Sequence, residues 1–284
     1  MKHDWPKGPT TWIEGRTLFA SIPFTWNLPE VRRELVAGSL LWDCAVVGGP
    51  AVALMPSFFD GLENVAVGGD MPGVLHRVNP MATRTTTGCI RRCRFCAIGV
   101  GAVERGGLRE LPDWPDLPIL CDNNLLAASD AHFNRVIDRL VRWGWADFNQ
   151  GLDARLMTAR HAERIAEIRR PMVRLALDHD GDREAWEHAF SLLRSAGIAK
   201  SKIRSYCLIA FTDSPRDAWR RCLWVEDHGV KALPMWFHRL DQLEHNAILP
   251  EQAAMGWDRD EQRRIMGYFY QHRGEPLFAE RRES

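Results

Sequence analysis

Apolar residues recur along this chain as short, often β-branched runs separated by amphipathic stretches, the rhythm of an alternating strand–helix protein. The opening, residues 1–16, is polar and rich in Trp and Pro and reads as an irregular arm. Thr17–Ile22 then reads as a strand. Leu28–Val36 reads as a short helix with Pro29 in its first turn, where a missing N–H is tolerated. Two further runs, Asp43–Pro50 and Asn64–Gly69, each contain a glycine pair after apolar residues, the pattern of a buried strand entering a turn. Gly48-Gly49 lacks the G-x-G-x-x-G spacing of a dinucleotide-binding fold, so a turn accounts for it. Residues 1–80 are expected to form a small α/β layer.

From residue 81 the period lengthens. Ala82–Gly88, Pro118–Asp122, Trp145–Asn149, Val173–Asp178, Ile203–Phe211 and Lys231–Phe237 suit strands. Between them, His132–Trp143 carries Phe133, Val136, Ile137, Leu140 and Val141 at helical spacing. Thr158–Arg169 has Thr158 placed as an N-cap, Asp182–Ala196 stops at Gly197, and Ser214–His228 opens on Ser-Pro and stops at Gly229. Eight strand–helix units close a TIM barrel. The six counted here predict an α/β fold with a partial (β/α)6 parallel barrel over residues 81–246, followed by a short helical tail over 247–284.

Four of these strands end in polar residues: Asp122-Asn123-Asn124, Asn149-Gln150 with Asp153 close behind, Asp178-His179-Asp180, and His238-Arg239. Carboxyl ends of parallel strands carry the sites of such folds. A single Asx residue there is equally a turn or cap former, so the recurrence is what singles out a site.

Composition narrows the function classes. The chain has 284 residues, 45% hydrophobic and 26% charged, with 37 basic side chains against 37 acidic. The balance disfavours a uniformly basic nucleic-acid binder but leaves room for a local basic groove. Arginine supplies nearly all the positive charge, which suits phosphate or carboxylate recognition and also follows from a GC-rich genome. No run approaches the length of a bilayer span, and Met1–Lys7 leads into no apolar signal core, so no membrane association and a cytoplasmic location are expected. No Ser/His/Asp arrangement or H-E-x-x-H motif is present. His179, His238 and Gln150, placed at strand ends, are the candidate catalytic side chains, whereas His132, His161 and His188 fall within helical patterns and suit packing or surface roles. Trp257, Tyr268, Phe269 and Tyr270 near Arg259, Arg263, Arg264, His272 and Arg273 suit either a core or a base-stacking surface.

Seven cysteines in a chain this long do not make a disulfide scaffold. Cys44, Cys121, Cys207 and Cys222 are scattered, but Cys89, Cys93 and Cys96 fall within eight residues after the first long-period strand. A structural zinc site wants four ligands. Cys121 could be the fourth, although it lies inside an apolar run. A [4Fe–4S] cluster held by three thiolates would keep one iron open to an exogenous ligand.

The stretch Cys89-x3-Cys93-x-Phe95-Cys96, at the end of the first of six β/α units, closely resembles the signature of the radical S-adenosylmethionine (SAM) superfamily. The resemblance covers about residues 82–240. It implies a [4Fe–4S] cluster on Cys89, Cys93 and Cys96 that passes one electron to SAM, releasing methionine and a 5′-deoxyadenosyl radical that abstracts hydrogen from a substrate. By the same resemblance Phe95 packs near cluster and adenine, and Asp178 binds the ribose hydroxyls. Asp122, Asn123 and Asn124 lie where relatives carry Gly-Gly-Glu to receive the methionine amino group, and those glycines are absent here. Arg155 is placed to pair with the methionine carboxylate, or else to form a helix-surface ion pair. The strand Ser205–Phe211 would offer backbone to adenine, again without its usual glycines. An electron donor such as flavodoxin or ferredoxin is implied as a partner.

The N-terminal runs Val46–Val52 and Val65–Gly69 resemble the end of a cobalamin-binding domain. The Asp-x-His-x-x-Gly ligand motif is missing, so cobalamin is not expected. The reading is therefore a radical SAM enzyme acting on a small-molecule or nucleic-acid substrate. The rivals are modification of a DNA or RNA nucleobase in particular, and a zinc-stabilised or cluster-binding module without catalysis.

Overall fold

A computed structural model of the chain describes residues 5, 8–68, 71 and 73–271. Gly69 and the basic tail residues His272 and Arg273 lie outside the described residues. The chain divides into two compact units. The first comprises Met1–Thr83, Gly88–Gly107 and His238–His245, and the second Arg84–Thr87, Leu108–Phe237 and Asn246–Ser284.

The first unit opens with strands β1 (Thr10–Glu14) and β2 (Thr17–Ser21). The opening arm is thus not irregular throughout. Thr10 pairs with Ser21 and Glu14 with Thr17 in an antiparallel hairpin, and Trp12 stacks on Phe19 with ring centroids 5.2 Å apart. The hairpin needs only the two-residue turn Gly15-Arg16, and Gly15 supplies the positive φ of 60° that such turns favour. Helix α1 (Leu28–Ala37), β3 (Cys44–Gly48), the short α2 (Pro50–Leu54), β4 (Val65–Val67), the short α3 (Val74–Val78) and β5 (Ala82–Thr83) follow. β2, β3 and β4 run parallel, giving a four-stranded mixed sheet in the order β1-β2-β3-β4. Leu28, Val31 and Leu35 recur at helical spacing, and α1 buries them with Ile22, Val47, Ala51, Val52 and Phe59 in one core.

The second unit begins with β6 (Thr86–Thr87) and β7 (Arg109–Glu110), an antiparallel pair. β8 (Ile119–Leu120), α4 (Asp130–Trp143), β9 (Ala146–Phe148), α5 (Ala159–Ala166), β10 (Pro171–Leu177), α6 (Arg183–Ser195), β11 (Ile203–Ile209), α7 (Pro215–Asp227) and β12 (Lys231–Trp236) then alternate. β8 to β12 pair parallel, each with the next, in the order β12-β11-β10-β9-β8. The fold is mixed α/β. Among the described residues no α-helix lies between β5 and β8, so the first of the six expected strand–helix units lacks its helix.

The expected first strand, Ala82–Gly88, is also broken in two, and Asp122 explains the break. Its carboxylate accepts the backbone N–H groups of Thr85 at 2.7 Å and Thr86 at 2.6 Å, and both threonine hydroxyls at 3.0 Å. A side chain satisfies donors that a ladder would otherwise take.

Caps read from the sequence are present. The Thr158 hydroxyl accepts His161 N–H, and the Ser214 hydroxyl accepts Asp217 N–H. Val173, Leu175 and Leu177 of β10 pack with Trp186, Ala189 and Leu193 of α6 in one buried cluster with Trp219 and Cys222 of α7. Each large side chain buried there stabilises the fold by about 1.5–3 kcal/mol. The buried Ser205 hydroxyl takes the Trp186 indole N–H at 2.9 Å. The tail forms α8 (Pro250–Ala254) and α9 (Arg259–Gln271). Trp257 and Phe269 are buried, and Phe269 lies 5.0 Å from the Trp219 ring, so these tail aromatics serve the core. Among the described residues no helix is long and apolar enough to cross a membrane.

Candidate functional site

The cysteine loop belongs to the first unit and is wound on itself. Cys96 N–H donates to Cys93 O at 3.2 Å, Val100 N–H to Cys96 O at 3.0 Å, and Ala102 N–H to Ala97 O at 2.9 Å. Glu104 closes the entry by accepting the Gly88 N–H at 2.7 Å. Gly99 makes the winding possible. A Cβ there would stand 2.4 Å from the Cys93 carbonyl oxygen and 2.5 Å from its nitrogen, so the two chain segments touch where only glycine fits.

Cys89, Cys93 and Cys96 are half-buried and none is in a disulfide. The Arg91 N–H donates to Cys89 Sγ at 3.3 Å, the kind of bond that tunes cluster sulfurs. Three thiols on one closed loop are a donor set that fits an iron–sulfur cluster with an open iron. Among the described residues, no three His, Cys, Asp or Glu side chains are gathered as a metal-holding group. Phe95 is half-buried beside the last cysteine. Cys121 is 6% exposed, and burial pushes its thiol up to about 12, which makes it a poor fourth ligand.

In the second unit the ends of three successive strands meet in a polar chain. Asn124, buried after β8, donates Nδ2 to Asp153 Oδ2 at 3.1 Å. Asp153 Oδ1 accepts Arg155 Nε at 2.8 Å. Arg155 Nη1 lies 3.7 Å from Asp182 Oδ1, and Asp182 Oδ2 lies 3.3 Å from His179 Nε2. Asn124, Arg155 and His179, singled out from three separate stretches of sequence, thus share one network. Asp153 and Asp182 complete it. In the sequence Asp153 stands out only by its place close behind Asn149-Gln150, and Asp182 only as a helix start.

Asp178, largely buried at the end of β10, sits in the same field. Burial pushes its carboxyl up to about 6, with the Asp182 charge adding to the rise, while Arg155, His179 and Arg221 pull the other way. Asp122 is 4% exposed and turned to Thr85 and Thr86. Burial raises its pKa against the pull of those hydrogen bonds. Asn123 is half-buried and Gln150 exposed; neither is in the network's ion pairs.

His238 belongs to the first unit. Its ring lies 4.5 Å from that of Trp26 and 5.4 Å from that of His245, and Phe24 stacks on Trp26 at 4.5 Å. Burial, then the His245 charge, pushes His238 down to about 4, so its imidazole is neutral at pH 7. His132 and His161 are buried on α4 and α5, with pKa values lowered by burial. No protein-family model matches this chain, and no curated protein matches it.

Proposed function

We propose that the chain is a radical SAM enzyme whose second unit is the part-closed barrel of that superfamily. The observation that carries the reading is the C-x3-C-x-F-C segment on a loop closed by Gly99 and Glu104, with the three thiols outside any disulfide. Cys89, Cys93 and Cys96 would hold a [4Fe–4S] cluster. When bound, such a cluster supplies one electron for reductive cleavage of SAM, which starts radical chemistry on a substrate.

The chain's own residues bind and orient. Phe95 offers an aromatic face beside the last ligand. The Asn123-Asn124 amide carbonyls would accept from the methionine amino group, in place of a glycine-rich stretch. Asp122 holds the strand in front of them by its grip on Thr85 and Thr86. Arg155, held by Asp153 and Asp182, would turn its guanidinium to the methionine carboxylate. Asp178, ionised above about pH 6, accepts hydrogen bonds from ribose hydroxyls. SAM affinity is then expected to fall as the pH drops below 6.

Anaerobic reconstitution with iron and sulfide tests the reading. The expected result is a brown protein with about four irons that forms 5′-deoxyadenosine from SAM under a strong reductant. Replacement of any one of the three cysteines by Ala should abolish both. Stoichiometric zinc in colourless protein, or deoxyadenosine formation without all three cysteines, would overturn it.

A further inference from the structure

On β10, β11 and β12 the face turned away from α6 and α7 carries a row of positive charge. Arg174 is the register partner of Arg204, and Arg204 that of Lys231. Register partners project to one face, and neighbouring strands lie about 4.8 Å apart, so the backbone positions of the three lie within about 10 Å. All three are half-buried, while the alternate residues Val173, Leu175, Ile203 and Ala232 are fully buried on the helix side. Like charges directly opposite one another destabilise a sheet.

Among the described residues the row has one ion-paired counter-charge. Asp147 on β9 ion-pairs with Arg174, and Asn149 Oδ1 takes a second Arg174 bond at 3.3 Å. Among the described residues neither Arg204 nor Lys231 forms an ion pair. Arg204 Nη1 donates only to the backbone oxygens of Ser201 and Ile203. The Arg174 Nε is buried with no partner among the described residues. Burial, with a smaller push from the Arg204 charge, lowers the Arg174 pKa. Among the described residues, three cations against one ion-paired carboxylate make an excess of two positive charges.

We propose that this row is a phosphate-binding site that takes the phosphate monoester of the enzyme's substrate. A phosphate monoester carries nearly two negative charges at neutral pH, which matches the surplus. A carboxylate would leave one cation unmatched. Arginine forks also suit phosphate oxygens. Tyr206 follows Arg204 by two positions on the same face. Its ring centroid lies 5.9 Å from the Arg174 guanidinium carbon, and its hydroxyl donates to Asn149 O at 2.8 Å. From the row, the same face continues through Ala176 and Tyr206 toward the carboxyl ends of β10 and β11, beyond which Asp178 follows. The word substrate rests on the radical reading above; binding of phosphate does not.

Calorimetry on the full chain, without reconstitution and at constant ionic strength, tests the site with inorganic phosphate, glycerol 3-phosphate, glycerol and acetate. Both phosphates should bind at one site, with glycerol and acetate at least ten-fold weaker. Arg204→Gln and Lys231→Gln should each weaken phosphate at least ten-fold, and exposed Arg263→Gln should not. Thermal melts guard against misfolding: each of the first two variants should melt higher than the parent without phosphate, because repulsion is relieved, and phosphate should raise the parent's Tm alone. Acetate binding equal to phosphate, or phosphate binding unchanged in both variants, would overturn the site whatever the cluster does. Failure of deoxyadenosine formation with phosphate binding intact would instead remove the radical reading.

Discussion

Asp178→Asn separates what the fold tolerates from what the site requires. Its carboxyl is pushed from 3.8 up to about 6, a rise of about 2 units or roughly 3 kcal/mol between the two protonation states. The folded state therefore binds the proton more tightly than the unfolded chain. Between about pH 4 and pH 6 the folded state carries more protons, so stability falls as the pH rises through that window. Above it the ionised carboxylate costs the fold the full amount. An asparagine at 178 carries no charge at any pH. The variant should thus be more stable than the parent by about 3 kcal/mol at pH 7.5 and nearly equal to it at pH 4. Urea midpoints at four pH values between 4 and 8 measure the gap. In the reconstituted enzyme, the same change should weaken SAM binding at least ten-fold at pH 7.5, measured by equilibrium dialysis. A gap that does not vary with pH, or a variant less stable at pH 7.5, would mean that Arg155, His179 and Arg221 outweigh burial and would refute the reasoning.

Other expectations follow from single contacts. Gly99→Ala places a methyl against Cys93 backbone atoms that cannot swing aside, so iron loading should drop at least ten-fold while the far-UV circular dichroism keeps its shape; full loading would show that the loop's closure is dispensable. Arg221 is 3% exposed, pairs with Asp213 and donates to Leu208 O at 2.5 Å. Arg221→Met should cost about 3–5 kcal/mol by denaturant titration, because a buried carboxylate loses its partner. Adding Asp213→Asn should recover part of that loss, and strict additivity of the two changes would argue against a coupled pair. Iodoacetamide at pH 7.5 should label Cys44, Cys89, Cys93 and Cys96 but spare buried Cys121, Cys207 and Cys222 until the protein is unfolded, as read by peptide mass spectrometry.

What the sequence makes legible is what local physics decides. β10 alternates buried and half-buried residues along Pro171–Leu177, and the caps at Thr158 and Ser214 sit where hydroxyls precede apolar helices. Each can be read without knowing any neighbour. Two of the departures depend on distant partners. Ala82–Gly88 carries strand-forming residues, yet Asp122, more than thirty positions on, takes its backbone donors and splits it. Thr10–Glu14 becomes a strand only because β2 is there to pair with it.

The polar network divides in the same way. Asn124, Asp178 and His179 are legible because strand ends are predictable positions in a parallel fold, and Arg155 only through the resemblance. The holding of Arg155 by Asp153 and Asp182 is not, since it depends on where the short helical turns after β9 and β10 aim their carboxylates. The cation row lies furthest from the sequence. Arg174, Arg204 and Lys231 are about thirty residues apart and become neighbours only through strand register, where a slip of one position would turn each to the opposite face. A register that keeps like charges abreast and half-buried works against the sheet unless something negative completes it. On that argument, substituting one cation tests the ligand and the fold together: the variant should be more stable alone and should lose its response to phosphate.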